Sequence, residues 1–166
     1  MRAVTINEAA TEQAVTIKGV HMSLAAKLRR APLRLATGAF VLNAGVGKLT
    51  ATEQTAAGLH GMACGAYPFF KGIDPKVFVK GLAAGEILVG SALLLPIVPA
   101  GLAGLALTGF AGGLLFMYAR TPGLHDKYLR PTQAGTPIAK DVWMAGSGLS
   151  LIIDAALNES PITATD

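Results

Sequence analysis

Residues 79–119 have the sequence VKGLAAGEILVGSALLLPIVPAGLAGLALTGFAGGLLFMYA, which is the most apolar part of the chain. It contains two apolar runs, each close to the length of about 20 residues that an α-helix needs to cross a bilayer. Pro96 and Pro99 lie between the runs, where prolines end one helix and start the next. We therefore predict a tight helical hairpin with membrane spans at residues 79–96 and 100–119.

The composition of the whole chain extends this prediction. Hydrophobic residues make up 52% of the chain and charged residues only 14%, whereas a soluble domain carries about 25% charged residues. The mean hydropathy of +0.50 agrees. Two further apolar segments, at residues 32–50 and 137–157, have the length of spans. The predicted fold class is an all-α integral membrane protein, a bundle of four transmembrane helices.

The segments outside these spans are more polar. Residues 1–18 are predicted to form a loosely ordered tail, and residues 19–31 either a short helix on the membrane surface or a frayed extension of the first span. The connection between spans one and two has amphipathic content and helix breakers, so we expect an interfacial or re-entrant helix at about residues 55–70. The predicted organisation is an N-terminal segment (1–31), a membrane domain (32–157) and a C-terminal tail (158–166).

Small residues recur every fourth position along span three. Ala100, Gly104, Thr108 and Gly112 form this stripe, and Gly146 and Ser150 repeat the spacing in span four. Small residues let helix backbones approach closely in lipid. We therefore expect another helix to pack against the stripe, which is also a candidate surface for docking a partner subunit.

Several functions are excluded or disfavoured. The net charge of +4 does not indicate nucleic-acid binding, because the basic residues are not interleaved with aromatic residues or gathered on one soluble face. The string GVGK at residues 45–48 lacks the first glycine and the Ser or Thr of a phosphate-binding loop. His60 and Cys64 are too few to predict a metal site, and Cys64 is the only cysteine. We predict no metal and no intrinsic cofactor.

Polar residues inside the spans are the best functional candidates, because ionisable groups in a bilayer are costly and usually face partners within the bundle. Alternate spans run in opposite directions at 1.5 Å per residue, which brings four of these residues to one side of the membrane. The predicted polar cluster is therefore Asn43, Lys48, Glu86 and Asp141, under the two longer loops. Arg34 and Asp154 are left together at the opposite face.

Three interpretations of this cluster stay open. Glu86 and Lys48 could be an internal ion pair that fixes helix register. The cluster could instead be a ligand pocket, roofed by His60 and by His125, that holds a polar headgroup such as a quinone. The third interpretation is proton or solute movement, and Asp141 is also explained by the preference for acids in the first turn of a helix.

The motifs RLATGAFVLNAGVGK at residues 34–48, Glu86 with Gly90, and KDVWMAGSGLSLIID at residues 140–154 resemble the DoxX-like family of small four-helix membrane proteins. The resemblance covers about residues 30–157. It implies a role beside membrane redox proteins, since the family takes its name from a subunit of a thiosulfate:quinone oxidoreductase. By this similarity Lys48 and Glu86 become the candidate functional pair.

Three functional hypotheses follow. The first is an accessory or assembly subunit of a membrane redox or respiratory complex. The second is a quinone- or lipid-binding oxidoreductase subunit, with quinone as the only expected cofactor, and the third is a small-solute transporter. The absence of cysteine clusters argues against catalysis by this chain alone. We expect a bacterial or archaeal plasma membrane location, with partners in the bilayer and among other membrane subunits. Both termini are placed in the cytoplasm, on the strength of the basic run Lys27, Arg29, Arg30 and Arg34.

Overall fold

The computed structural model describes the backbone of residues 3–159 and the side chains of residues 24–158. Within this range the chain consists of helices joined by turns. The elements, in chain order, are α1 (Ala3–Lys48), α2 (Glu53–Ala66), a 3-10 helix (Pro68–Gly72), α3 (Pro75–Leu94), α4 (Ala100–Arg120), α5 (Thr136–Ala139) and α6 (Asp141–Glu159). The all-α class predicted from the sequence is confirmed for this part of the chain.

Helix α1 is a single element of 46 residues that includes Pro32. Helix α1 thus covers residues 3–18, where the sequence predicts a loosely ordered tail, and residues 19–31, where it predicts a short surface helix or a frayed extension of the first span. Contacts divide the chain into two compact units, Met1–Pro32 and Leu33–Asp166. Their boundary falls at Pro32, whose ring removes one backbone hydrogen bond from a helix interior. The interhelical contacts and the site described below lie in the second unit. Of the C-terminal tail predicted at residues 158–166, residues 158 and 159 are the last two of α6, and the rest lies outside the described residues.

The hairpin at the centre of the sequence is formed by α3 and α4. Helix α3 starts at Pro75, earlier than the predicted residue 79, because the side chain of Asp74 accepts hydrogen bonds from the backbone N–H groups of Lys76 (2.9 Å) and Val77 (3.3 Å). It ends just before Pro96, and α4 begins directly after Pro99. Both helices are long and apolar enough to cross a membrane, and they are the two that meet this criterion in the described part of the chain.

Helix α1 packs on α3 through two glycines. A Cβ atom on Gly90 would lie 2.5 Å from the backbone nitrogen of Leu42, and one on Gly45 would lie 2.9 Å from the carbonyl oxygen of Ala83. Side chains at these positions would hold the two backbones apart. Gly45 and Gly90 therefore allow the C-terminal end of α1 to lie directly against α3.

Helix α4 packs on α6 in the same way, through Gly104 and Gly148. A Cβ atom on Gly148 would lie 2.3 Å from Oγ1 of Thr108, and one on Gly104 would lie 2.6 Å from the carbonyl oxygen of Gly148. The predicted stripe thus meets α6 at Gly104 and Thr108. The structure departs from the prediction at Gly112 and Gly146, which have open space around them because they face away from the contact.

The buried centre joins all four long helices. Val41 of α1, Leu93 of α3, Ala103 and Leu107 of α4 and Leu151 of α6 form one apolar cluster. The outward faces of α3, α4 and α6 are also apolar, since Leu88, Leu105 and Leu157 are 70%, 59% and 78% exposed. The helices therefore carry hydrophobic side chains on both sides instead of one.

The last helix starts later than predicted. Pro137 lies in the one-turn helix α5, and the chain enters α6 only at Asp141. Between α4 and α5, the polar loop folds back on itself, with the hydroxyl of Tyr118 donating to the carbonyl oxygen of Leu129 at 2.9 Å. This arrangement brings Asp141 to the same end of the bundle as the C-terminal end of α1.

Candidate functional site

Lys48 and Glu86 form an ion pair inside the bundle. The ammonium nitrogen of Lys48 lies 2.8 Å from both carboxylate oxygens of Glu86 and donates a hydrogen bond to Oε1. It also donates to the carbonyl oxygen of Ala44 at 3.3 Å. Glu86 is only 6% exposed. The close approach of α1 to α3 at Gly45 brings the two side chains within reach, because Gly45 lies one turn before Lys48 and directly over the Cβ atom of Glu86.

Asp141 is the second buried acid, at 4% exposure, in the first turn of α6. The charges of Lys140, Glu86 and Lys48 are all close enough to act on its carboxyl group. In the described part of the chain, no hydrogen bond reaches its carboxylate oxygens. The structure thus brings Lys48, Glu86 and Asp141 together at one end of the bundle.

These three side chains line a cavity of about 610 Å³. Its other walls are mainly apolar and aromatic, and they come from every helical segment between Phe40 and Met144. The charged residues in the lining are Lys48, Glu86, Lys140 and Asp141. Lys140 is exposed, and its ammonium nitrogen lies 4.7 Å from the centre of the Phe40 ring, a cation–π distance. The polar groups therefore form a small island in an otherwise hydrophobic chamber.

The segment after α2 covers one side of this cavity. Tyr67 ends α2, and its hydroxyl donates to the carbonyl oxygen of Gly113 in α4 at 2.9 Å. The ring of Tyr67 packs against Phe70, which also lines the cavity. The helix predicted at residues 55–70 is therefore present as α2 and the start of the 3-10 helix, and it contributes aromatic walls to the site.

The two histidines considered as parts of the pocket do not line it. A ring nitrogen of His60 lies 2.9 Å from the carbonyl oxygen of Phe70, and its ring packs edge-on against Phe78. His60 thus contacts two aromatic residues of the cavity wall, Phe70 and Phe78, without lining the cavity itself. His125 makes its contacts to backbone oxygens of Asp126 and Ala119, outside the cavity.

Asn43 also lies outside the polar cluster, because it is exposed and absent from the cavity walls. The rise per residue predicts the depth of Asn43 in the helix, but five residues separate it from Lys48. At about 100° per residue these two side chains point roughly 140° apart. Asn43 therefore faces away from Glu86.

At the opposite end of the bundle, Arg34 binds the C-terminal end of α3. Its guanidinium donates to the carbonyl oxygens of Leu93 (2.7 Å), Ala92 (2.9 Å), Leu95 (2.8 Å) and Val98 (3.0 Å). The last carbonyls of a helix have no partner within the helix, so a cation there is favourable. Arg34 thus closes the turn between α3 and α4.

Asp154, the predicted partner of Arg34, lies in α6. The side chain of Asn158 donates to its backbone oxygen at 2.7 Å and to Oδ1 at 3.3 Å. The pairing of Arg34 with Asp154 stays a prediction.

Sequence reasoning missed Tyr67 and Lys140 as parts of the site. Tyr67 belongs to the string YPFF, whose clustered aromatic residues next to a helix-ending proline signal a packed cover. Lys140 precedes Asp141 at the helix start, so its position near the cluster could have been inferred. Among the described side chains, no group of three or more His, Cys, Asp or Glu residues is placed to hold a metal ion.

Comparison of this chain with family models, curated proteins and solved structures finds no match. The function is therefore argued from the geometry of the site.

Proposed function

We propose that this chain is an integral membrane protein of four spans that binds the polar head of an amphiphilic small molecule, such as a quinone, in the cavity around Glu86. The observation that carries the proposal is the buried Lys48–Glu86 pair with Asp141 beside it, set in the wall of an apolar cavity of about 610 Å³. The apolar part of the chamber accepts a ring or chain, and the charged groups orient the head.

The exposed surfaces of the helices support the membrane part of the proposal. Only 28% of the most apolar stretch of α3 and 33% of that of α4 is buried within the protein. These helices therefore differ from the core helices of a soluble domain, which are mostly buried. The C-terminal end of α1 and helix α6 pack directly on them through glycines. Water would be a poor solvent for the outward faces of these four helices, whereas lipid would be a good one.

The size and lining of the cavity support the ligand. Pockets for small molecules measure about 300–1,000 Å³ and combine apolar walls with a few polar groups that fix orientation. An ion pair that served only to fix register would be expected to lie in a filled core. Here the pair lies in the wall of a cavity, and the neighbouring acid has no hydrogen bond from the described residues.

We therefore propose the role of a ligand-binding subunit in quinone-linked membrane redox chemistry. This role agrees with the proposed resemblance to the DoxX-like family. An accessory subunit that docks through the small-residue stripe is less well supported. Gly104 and Thr108 of that stripe are already covered by α6. The transporter hypothesis has no specific observation in its favour.

Two glycines of α4 provide a matched test. Gly109 lines the cavity, whereas Gly112 lies outside it on the same helix, and a Cβ atom added at either position would have no neighbouring atom within 4 Å. Gly109→Leu should fill part of the cavity, and Gly112→Leu adds the same side chain outside it. The binding of a short-tailed benzoquinone to the detergent-purified protein is measured by the thermal stabilisation that the ligand induces. The affinity should fall at least tenfold in Gly109→Leu and stay unchanged in Gly112→Leu. Equal binding by both variants would refute the proposed cavity site.

Membrane insertion is tested separately. After alkaline carbonate extraction of membranes, the chain should remain in the pellet. Recovery in the soluble fraction would contradict the membrane part of the proposal.

A further inference from the structure

We infer that the tip of the loop after α4 is a binding site for the headgroups of anionic phospholipids in the surrounding bilayer. The loop tip consists of Lys127, Tyr128, Leu129 and Arg130, which do not line the cavity. The inference therefore concerns a second surface of the protein. It rests on the membrane part of the proposed function and is independent of the ligand in the cavity.

Hydrogen bonds hold the loop tip in one shape. Oδ1 of Asp126 accepts from the backbone N–H groups of Tyr128 (2.8 Å) and Arg130 (2.9 Å). The backbone N–H of Asp126 donates to the carbonyl oxygen of Arg130 at 2.9 Å, and the hydroxyl of Tyr118 in α4 donates to that of Leu129. Because these bonds already order the backbone, binding through the loop tip would cost little further entropy.

The loop tip presents two large side chains to its surroundings. Tyr128 and Leu129 are 66% and 58% exposed. Leu129 has a φ of 60°, in the left-handed region that is unfavourable for a bulky side chain. The loop thus keeps a strained backbone at a residue whose apolar side chain stays outside the core. Water would not favour this arrangement, whereas the interface of a bilayer accepts both side chains, and tyrosine is enriched there.

Two cations lie beside the ring of Tyr128. Nζ of Lys127 is 4.9 Å from the ring centre, and Cζ of Arg130 is 5.5 Å from it. Neither cation forms an ion pair with a carboxylate of the described residues, and Oδ1 of Asp126, the neighbouring acid, is bound to backbone N–H groups. A base near an anionic lipid surface favours binding about fivefold. The charge of the loop tip is therefore complementary to lipid phosphates.

The position of the loop agrees with this partner. Helix α4 ends at Arg120, and a ring nitrogen of His125 lies 3.2 Å from the carbonyl oxygen of Ala119, which keeps the loop against the end of this helix. A loop held at the end of a spanning helix lies at the level of the headgroups. Phosphatidylcholine carries a cation beside its phosphate, which the two bases would repel, so we expect anionic lipids to be preferred.

The test measures which phospholipid lies next to the loop tip. Trp143 is the only tryptophan of the chain, so Trp143→Phe combined with Tyr128→Trp leaves a single indole, at the loop tip. This protein is reconstituted into vesicles that contain brominated phosphatidylglycerol or brominated phosphatidylcholine, whose bromine atoms quench a nearby indole. Phosphatidylglycerol should associate with the loop tip more strongly than phosphatidylcholine by about fivefold or more. Equal association of the two lipids would overturn the inference.

Matched variants locate the preference on the two bases. Lys127→Gln combined with Arg130→Gln removes both charges of the loop tip and should bring the ratio of phosphatidylglycerol to phosphatidylcholine association to about one. Lys71→Gln combined with Lys80→Gln removes two exposed charges near the start of α3, outside the loop tip, and should leave the ratio unchanged. An equal fall in both double variants would indicate a general attraction of the protein to anionic lipid and would overturn the loop tip as its site.

The native tryptophan separates this inference from the membrane part of the proposed function. Trp143 is 75% exposed on α6, outside the loop tip. In the unmutated protein, brominated lipid should quench Trp143, because α6 is a proposed span. Quenching of Trp143 without quenching of the indole at the loop tip would refute the inference alone. If neither indole is quenched, the membrane part of the proposed function fails and the inference fails with it.

Discussion

A single methyl group added to the contact between α4 and α6 should destabilise the protein, whereas the same methyl group elsewhere on α4 should not. In Gly104→Ala the new Cβ atom would lie 2.6 Å from the carbonyl oxygen of Gly148 and 3.0 Å from the side chains of Leu151 and Ile152. Ordinary van der Waals contact begins at 3.4 Å, and the nearest obstacle is backbone that cannot rotate away. The helices would have to separate by about 0.8 Å.

The magnitude follows from two opposing terms. Overpacking of a close contact costs about 1–3 kcal/mol. Replacing glycine by alanine within a helix returns about 1 kcal/mol. Gly104→Ala should therefore lower the free energy of unfolding by about 1 kcal/mol. Gly112→Ala should only gain the stabilisation of about 1 kcal/mol from helix propensity, because nothing lies within 4 Å of its Cβ position. The two variants should thus differ by about 2 kcal/mol.

The assay is reversible unfolding in mixed micelles with increasing dodecyl sulfate, followed by circular dichroism. Both variants change glycine to alanine on the same helix, so differences in detergent binding and helix propensity cancel. If Gly104→Ala is as stable as Gly112→Ala, the close packing of α4 on α6 is wrong.

Two further pairs of variants test the charged residues by the same unfolding assay. Lys48→Ala leaves the buried carboxylate of Glu86 unpaired and should lower the free energy of unfolding by about 3–5 kcal/mol. Lys76→Ala removes an exposed ion pair and should lower it by less than about 1 kcal/mol. Equal losses of stability would contradict the burial of the Lys48–Glu86 pair. Arg34→Lys should cost about 2 kcal/mol, because one ammonium cannot serve the four carbonyl oxygens that the guanidinium reaches. Arg120→Lys, which keeps a cation over the Phe116 ring, should be nearly neutral, and a similar loss in both would contradict the capping role.

The sequence predicted depth along the helices better than direction around them. The argument from alternating spans gave the correct level for Lys48, Glu86 and Asp141, because the rise per residue is the same in every helix. It failed for Asn43 because depth alone leaves out direction: Asn43 points roughly 140° away from Lys48 on the same helix. A second limit appears in the small residues of α6, where Gly148 meets Gly104 while Gly146, which repeats the spacing of the stripe, has open space around it. Interhelical register is a tertiary property that spacing within one helix does not determine.

Helix ends are predicted less well where one residue has two roles. The sequence predicts Pro75 as a breaker of the preceding segment, but together with Asp74 it starts α3. It predicts Pro137 as the start of the last span, but this proline opens the separate one-turn helix α5. The cover formed by Tyr67 depends on a hydrogen bond to Gly113, a contact between distant parts of the chain that local sequence patterns do not contain.

The two glycine contacts have a consequence for how relatives of this chain should diverge. Gly90 on Leu42, and Gly104 on Gly148, leave no room for a side chain, so selection should hold these positions fixed. Outward positions such as Leu88 and Ile97 are exposed and meet little that requires a particular shape, so one apolar residue there can replace another freely. Homologues should accordingly keep the spacing of a few small residues while losing overall identity, and searches weighted toward that spacing should reach further than those that count identical residues.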